Sequence, residues 1–121
     1  MRMMIAVLAL AVSGCAMTPV QLREEGLRSQ HTLKLPPMEA AACVARNIEE
    51  SSRDSIIGKF QSGVRPGRVK GEAELLAYTM EFNHMVADLS PKGGGSVANV
   101  WTSSRLLDSL QKRLSDSFKG C

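Results

Sequence analysis

Residues 84–102 read HMVADLSPKGGGSVANVWT, in which two alternating runs flank a turn. Apolar side chains recur at every second position on one face of each run: Met85, Ala87 and Leu89, then Val97 and Trp101. Alternation with a period of two is typical of β-strands that bury one face. Between the two runs, residues 91–95 carry proline and glycine, which favour a turn. The segment therefore predicts a β-hairpin, with strands over 84–89 and 96–102 and with Trp101 in the core.

Two further strands are predicted upstream, over 56–63 and 74–80. They are separated from each other by Arg65-Pro66-Gly67, and the second is separated from the hairpin by Glu81-Phe82-Asn83. Short strands that follow one another closely favour an antiparallel meander. The sequence therefore predicts a four-stranded antiparallel sheet.

Two amphipathic helices are predicted to flank this sheet. The first begins after Pro36-Pro37 and covers 38–50, with apolar residues at helical spacing: Ala41, Val44, Ala45 and Ile48. The second is capped by Ser103 or Ser104 and stopped by Gly120, and its apolar stripe consists of Leu106, Leu107, Leu110, Leu114 and Phe118. The expected fold is α+β over residues 36–121: helix, four-stranded antiparallel meander, helix, with both helices packed on one sheet face.

The amino terminus has the three-part layout of a secretory signal peptide. Arg2 supplies a positive charge, residues 3–12 are uncharged and apolar, and Ser13-Gly14 precede Cys15. The apolar run is shorter than the roughly 20 residues that a transmembrane helix needs. Residues 12–15, Val-Ser-Gly-Cys, resemble the lipobox of bacterial lipoproteins, although an ordinary signal peptide with a coincidental cysteine is the alternative.

The lipobox resemblance implies a lipid anchor. In that family the cysteine is acylated, for example with palmitate, and residues 1–14 are removed, so that Cys15 becomes the first residue. In such lipoproteins an aspartate directly after the cysteine resembles an inner-membrane retention signal. Ala16 occupies that position here, which favours the periplasmic side of the outer membrane. Residues 15–35 are mixed polar and interrupted by Gly26, and are expected to form a flexible tether between lipid and domain.

The other two cysteines, Cys43 and Cys121, are predicted to form a disulfide. With Cys15 assigned to lipid, an even number remains, and exported proteins fold in an oxidising compartment. Closing a loop of this length stabilises a small domain by about 4 kcal/mol in the chain-entropy model. The alternative is a pair of buried free thiols.

Catalytic and metal-binding chemistry has little support in the sequence. The two histidines, His31 in the predicted tether and His84 in a predicted strand, read as surface or half-buried residues. Glu72 and Glu74 resemble a carboxylate pair, but a solvated strand face is the simpler interpretation. No short Cys or His spacing suggests a metal, and loss of Arg2 leaves 14 basic and 12 acidic side chains, too balanced for nucleic acid. We expect no enzyme activity and no cofactor.

One loop has features of a binding site. Lys92 precedes Gly93, Gly94 and Gly95, whose exposed amides can cradle an anion. A phosphate-binding loop opens onto a helix, however, and here a strand follows. A flexible hairpin turn is therefore the favoured interpretation.

Several of these motifs together resemble a family of uncharacterised proteobacterial small lipoproteins. They are the lipobox, the Pro-Pro helix start with Cys-Val-Ala-Arg-Asn at 43–47, the Gly-Gly-Gly-Ser stretch before the strand that ends in Trp101, and the terminal helix that closes at Cys121. The resemblance covers residues 36–121 plus the lipobox. It implies an envelope location and a shared fold, and it implies no activity.

The function expected from these observations is non-enzymatic binding or assembly in the cell envelope. The expected partners are the membrane, through the lipid, and an envelope protein or peptidoglycan, which the edge of an antiparallel sheet could bind. The alternative is a periplasmic small-molecule or lipid-binding module. A sizeable apolar cavity would favour that alternative, whereas a packed core with an exposed apolar patch would favour a protein partner.

Overall fold

A five-stranded antiparallel sheet forms the centre of the protein in a computed structural model that describes residues 17–53, 59–80 and 82–121. The strands are β1 Leu27–Leu33, β2 Gln61–Pro66, β3 Ala73–Tyr78, β4 Asn83–Lys92 and β5 Gly95–Thr102. Their order is β1-β5-β4-β3-β2, so β2 to β5 form the meander and β1 lies beside β5. The α+β class is confirmed, and the expected four strands are five.

The helices described within those residues are α1 Pro19–Glu25, α2 Pro37–Ser52 and α3 Asp108–Asp116. The predicted signal peptide 1–14 and the lipidation site Cys15 lie outside the described residues, as do residues 56–58 of the first predicted strand and Glu81. Among the described helices, none offers a stretch long and apolar enough to span a membrane.

The hydrophobic core lies between one face of the sheet and helices α2 and α3. Alternate residues of the strands face it, and they include Leu75, Ala77, Met85, Ala87, Leu89, Ala98 and Val100. Helix α2 contributes Ala40, Ala41, Val44 and Ile48, whereas Leu114 and Phe118 come from α3 and the turn after it. Both predicted helices therefore pack on the same sheet face.

In β5 the predicted inward face is wrong. Ala98 and Val100 are buried in the core, whereas Val97 and Trp101 lie on the opposite face and are only half-buried. Trp101 is paired across the sheet with Val86 and with Arg28. Both faces of β5 carry apolar side chains, so alternation alone does not identify the inward face.

Helix boundaries also differ from the prediction. Ser51 and Ser52, which lie beyond the predicted helix end at residue 50, form the last residues of α2. Helix α3 begins at Asp108 because a turn in which Ser103 O accepts from Leu106 N precedes it, so neither predicted serine caps the helix. As a result Leu107 precedes the helix and is exposed instead of joining the apolar stripe.

The expected tether is folded over most of its length. Helix α1 begins with a capping box in which Thr18 Oγ1 accepts from Gln21 N at 3.2 Å and Gln21 Oε1 accepts from Thr18 N at 2.9 Å. Leu22 of α1 is fully buried. At Gly26 a Cβ would lie 2.5 Å from Leu22 O, so only glycine permits the tight passage from α1 into β1. The sheet domain therefore includes residues well before 36.

The predicted disulfide between Cys43 and Cys121 is present. It joins α2 to the segment after α3 across a sequence separation of 78 residues, with 5.9 Å between the two Cα atoms. Cys121 O also accepts hydrogen bonds from Lys34 N at 3.1 Å and Leu35 N at 3.0 Å. Cys121 thus fastens the end of α3 to α2 and to the connection between β1 and α2. Gly120 was predicted to stop the helix, but α3 ends at Asp116, and Gly120, with φ of +81°, ends the turn that follows.

Candidate functional site

The predicted anion-binding loop is a tight hairpin turn. Lys92 ends β4 and pairs with Gly95, which begins β5. Gly93 and Gly94 have φ of +54° and +84°, the conformation of a two-residue type I′ turn. The hairpin interpretation thus agrees with the structure, and anion binding by Lys92 and these glycines stays a prediction.

The two histidines occupy separate structural environments. His84 hydrogen-bonds to Thr79 through Nε2 at 2.9 Å and meets the ring of Phe60 edge-on at 5.5 Å. His31 lies in β1 and stacks on Phe118 with ring centroids 4.5 Å apart. Burial lowers the pKa of both imidazoles. Each is therefore neutral at pH 7 and packed into the fold.

Glu74 belongs to a salt-bridged group that we call the Arg23 cluster: Arg23, Arg65, Glu74 and Asp88. Arg23 Nη2 donates to Glu74 Oε2 at 2.7 Å and to Asp88 Oδ1 at 2.6 Å, and its Nε donates to Asp88 Oδ2 at 2.9 Å. Arg65 forms a further salt bridge with Glu74. These hydrogen bonds, that to Asp88 above all, raise the pKa of Arg23 against the lowering effect of burial.

The Arg23 cluster excludes the solvated-face interpretation for Glu74. Glu74 is buried and paired with two guanidinium groups, and Glu72 precedes β3. Two carboxylates and two guanidinium groups neutralise one another, so the cluster fastens α1 to β3 and β4 across the face opposite α2. This role is structural.

The outer edge of β1 is one of the two edges of the sheet. All seven residues of β1 pair with β5, and no other strand of the described chain pairs with its opposite edge. Five of the seven residues are exposed. In an antiparallel pair, alternate residues point their N–H and C=O groups away from the partner strand, so this edge presents unpaired donors and acceptors.

Side chains of β1 are held back against the sheet and leave that edge open. Gln30 Nε2 donates to Asn99 Oδ1 at 3.1 Å, and the Arg28 guanidinium lies 5.9 Å from the centre of the Trp101 ring. His31 is held by its stacking on Phe118. The other edge strand, β2, contains Gly63 and Pro66, which weaken strand pairing.

A groove of about 370 Å³ runs beside β1, and we call it the β1 groove. One wall is residues 30–34 of β1 and its continuation, and the other is the terminal segment 118–121. Lys34 and Lys119 both line it and are exposed. His31 Nε2 is buried without a hydrogen-bond partner among the described residues. Lys119 Nζ also forms an exposed salt bridge with Asp116 Oδ1 at 3.1 Å, so the β1 groove combines free backbone with the charge of Lys34, which is unpaired within the described part of the chain.

A second cleft, of about 470 Å³, lies between α2 and α3. Its lining is polar and charged, and includes Asn47, Ser51, Lys112, Arg113 and Asp116. In the described part of the chain, no group of three or more His, Cys, Asp or Glu residues is arranged to hold a metal ion.

Sequence reasoning missed the β1 edge and the Arg23 cluster. The Thr18-Pro19-Val20-Gln21 capping sequence was a readable signal for α1. The salt bridges of Arg23 join positions 51 and 65 residues apart, a separation that no local pattern reveals.

Comparisons with known proteins add little. A scan of protein-family models gives no match, and a search of curated proteins gives none. Among solved structures, the crystal structure of Ara h 8.0201 is similar over 78% of this chain and 92% of that chain, with 12% sequence identity and a TM-score of 0.39. A similarity this low supports no argument about fold or function.

Proposed function

We propose that this protein is a lipid-anchored lipoprotein of the cell envelope that binds an extended segment of another envelope protein at the β1 groove. Its role is binding or assembly, without catalysis. The free edge of β1 beside a positively charged groove is the observation that carries this proposal.

The amino-terminal sequence supports the proposed location in the cell envelope. A charged start, an apolar run and Val-Ser-Gly-Cys at 12–15 match the layout of an exported, acylated precursor. The disulfide agrees with an oxidising compartment, because structural disulfides are rare in the cytosol. Ala16 favours the periplasmic side of the outer membrane.

Strand addition is supported by the geometry of the β1 groove. An extended segment paired with β1 satisfies the edge N–H and C=O groups, and its alternate side chains enter the groove. Lys34 favours an acidic residue there, and the exposed salt bridge of Lys119 with Asp116 leaves Lys119 able to exchange partners. We therefore expect the bound segment to be extended and acidic.

Site-specific photocrosslinking in cells tests the proposal. A photoreactive amino acid replaces Ser29 or Thr32, both exposed on β1, and Ser115, exposed on α3, provides the matched control. The expected result is one discrete adduct from both β1 positions and none from Ser115, with the crosslink mapping to an extended acidic segment of an envelope protein. Lys34→Glu with Lys119→Glu should abolish the adduct.

Three outcomes would contradict the proposal. Equal crosslinking from Ser115 would indicate non-specific contact, and adducts with glycan alone would identify peptidoglycan as the partner. A Cys15 peptide without an acyl mass increment would exclude the lipid anchor.

The alternative, a periplasmic small-molecule or lipid-binding module, has weaker support. It calls for a sizeable apolar cavity, whereas the described space between sheet and helices is filled by fully buried side chains such as Val44, Leu75 and Met85. The cleft between α2 and α3 is lined by polar groups.

A further inference from the structure

The described chain enters the fold at one end of the sheet, which we call the Met17 end. Met17 O accepts a hydrogen bond from Asn83 Nδ2 at 3.0 Å, and Met17 Sδ lies 3.8 Å from Ser103 Oγ. Asn83 begins β4 and Ser103 follows β5, so both contacts lie where the β3–β4 connection meets the end of β5. The β4–β5 turn marks the opposite end, which we call the Gly94 end.

Of the seven large apolar side chains that are exposed among the described residues, four lie at the Met17 end. Met80, 97% exposed, and Phe82 lie in the β3–β4 connection, and Leu107, 64% exposed, lies in the loop between β5 and α3. Leu27 is also exposed and begins β1 opposite Thr102, the last residue of β5. Exposed apolar groups concentrated in one region mark a surface that contacts a partner or a membrane.

We propose that the Met17 end lies against the lipid bilayer, with Met80, Phe82 and Leu107 in the headgroup region. The inference rests on the proposed acylation of Cys15. Only Ala16 separates Cys15 from Met17, and two residues span at most about 7 Å when extended. Acyl chains hold Cys15 at the bilayer surface, so Met17 and the end that carries it must lie beside that surface.

Neighbouring side chains suit the same environment. Trp101 is half-buried, lies one residue before the end of β5, and carries the Arg28 guanidinium beside its ring. Tryptophan is enriched at membrane interfaces, and arginine places its charge among headgroups while its stem covers apolar surface. Both residues lie on the face opposite the core, near the Met17 end.

The orientation leaves the β1 groove accessible. Strand β1 begins at the Met17 end and finishes at Leu33, and Lys34 and Cys121 of the groove lie beyond it toward the Gly94 end. A bilayer at the Met17 end therefore does not cover the groove, which extends into the periplasm toward a partner.

Methionine methyl NMR tests this orientation without altering the protein. Cells supplied with methionine that carries a ¹³C methyl group express the lipoprotein. The protein is extracted from their membranes and placed in nanodiscs that contain spin-labelled phospholipid. Met80 reports on the Met17 end, whereas Met38, exposed at the start of α2, reports on the opposite end. Met80→Leu assigns the Met80 signal.

The expected result is that spin-labelled lipid broadens the Met80 signal beyond detection and leaves Met38 sharp. Equal broadening of the two, or broadening of Met38 alone, would overturn the proposed orientation. Met80→Glu with Leu107→Glu should also lower binding to phosphatidylglycerol vesicles several-fold in a Cys15→Ser chain, whereas Val69→Glu, an exposed position in the β2–β3 connection, should not.

Failure of the lipid anchor is distinguishable from failure of the orientation. The mass of the Cys15 peptide decides acylation independently of any NMR signal. If acylation is absent, the same chain is coupled through the Cys15 thiol to a maleimide lipid, since the other two cysteines form the disulfide. The broadening of the Met80 and Met38 signals then tests the orientation in the same way as for the acylated protein.

Discussion

Arg23 connects α1 to two strands through a single guanidinium group. The variant Arg23→Met removes this group. Asp88 then has no salt-bridge partner among the described residues, and Glu74, whose side chain is 8% exposed, keeps only Arg65. Because an unpaired buried carboxylate is destabilising, we expect the free energy of unfolding to fall by about 2 kcal/mol, less than for a fully buried pair. Urea denaturation measures the change.

Arg65→Met is the matched control, because Arg65 contacts the same carboxylate from a side chain that is 61% exposed. Exposed salt bridges contribute at most about 1 kcal/mol, so the loss should be smaller. Equal losses for the two variants would show that Arg23 does not hold α1 in the way described.

His31 makes stability depend on pH. Burial lowers the folded-state pKa of His31 and His84 below the unfolded value of about 6.5. The unfolded chain therefore binds protons first, and stability present above about pH 6.5 is lost as pH falls through the lowered folded pKa values. We expect His31→Phe, which keeps an aromatic ring against Phe118, to reduce this loss in urea denaturation at about pH 7 and pH 5. An unchanged loss would exclude His31 as a contributor.

At the scale of the element, α1 is a packed part of the domain on the sheet face opposite α2. Leu22 is fully buried, whereas Val20 on the same helix is exposed. Leu22→Ala should therefore lower the free energy of unfolding by about 2–4 kcal/mol, and Val20→Ala should change it by less than about 0.5 kcal/mol. Thermal unfolding of both variants checks this. Wild-type stability in Leu22→Ala would support the flexible tether that the sequence predicted.

The β4–β5 hairpin contains two glycines with different requirements. A Cβ at Gly95 would lie 2.2 Å from Leu33 O, a backbone atom, so Gly95→Ala must displace β1. At Gly94 the space is open but φ is +84°, and alanine there should cost about 1 kcal/mol. We expect Gly95→Ala to be the more destabilising, by chemical denaturation. The reverse order would contradict the close approach of β1.

At the scale of the whole molecule, the disulfide closes the domain. Cys43 and Cys121 are 78 positions apart in the sequence, and the segment between them includes four of the five strands and α3. Reduction, or Cys43→Ser with Cys121→Ser, should lower the free energy of unfolding by about 4 kcal/mol through the entropy of the unfolded chain. Denaturation with and without reductant measures it. An effect below about 1 kcal/mol would show that strain or residual unfolded structure cancels the constraint.

Local sequence patterns predicted several elements of the domain and its disulfide. Alternation through Met85, Ala87 and Leu89 indicated β4, and helical spacing from Ala41 to Ile48 indicated α2 and its buried face. Cysteine number and compartment predicted the Cys43–Cys121 bond. These features depend on the period of one element or on covalent chemistry, which neighbouring residues express directly.

Only the tertiary structure decided β1, the Arg23 cluster and the β1 groove. Strand β1 has five exposed residues of seven and forms only by pairing with β5, in which Leu27 lies opposite Thr102. The tertiary structure also decided the inward face of β5, because apolar residues stand on both faces of that strand. Contacts between such distant positions produce no periodic pattern in the sequence of either segment. Their free energy comes from backbone pairing and charge neutralisation, which exist only when the two segments are in contact.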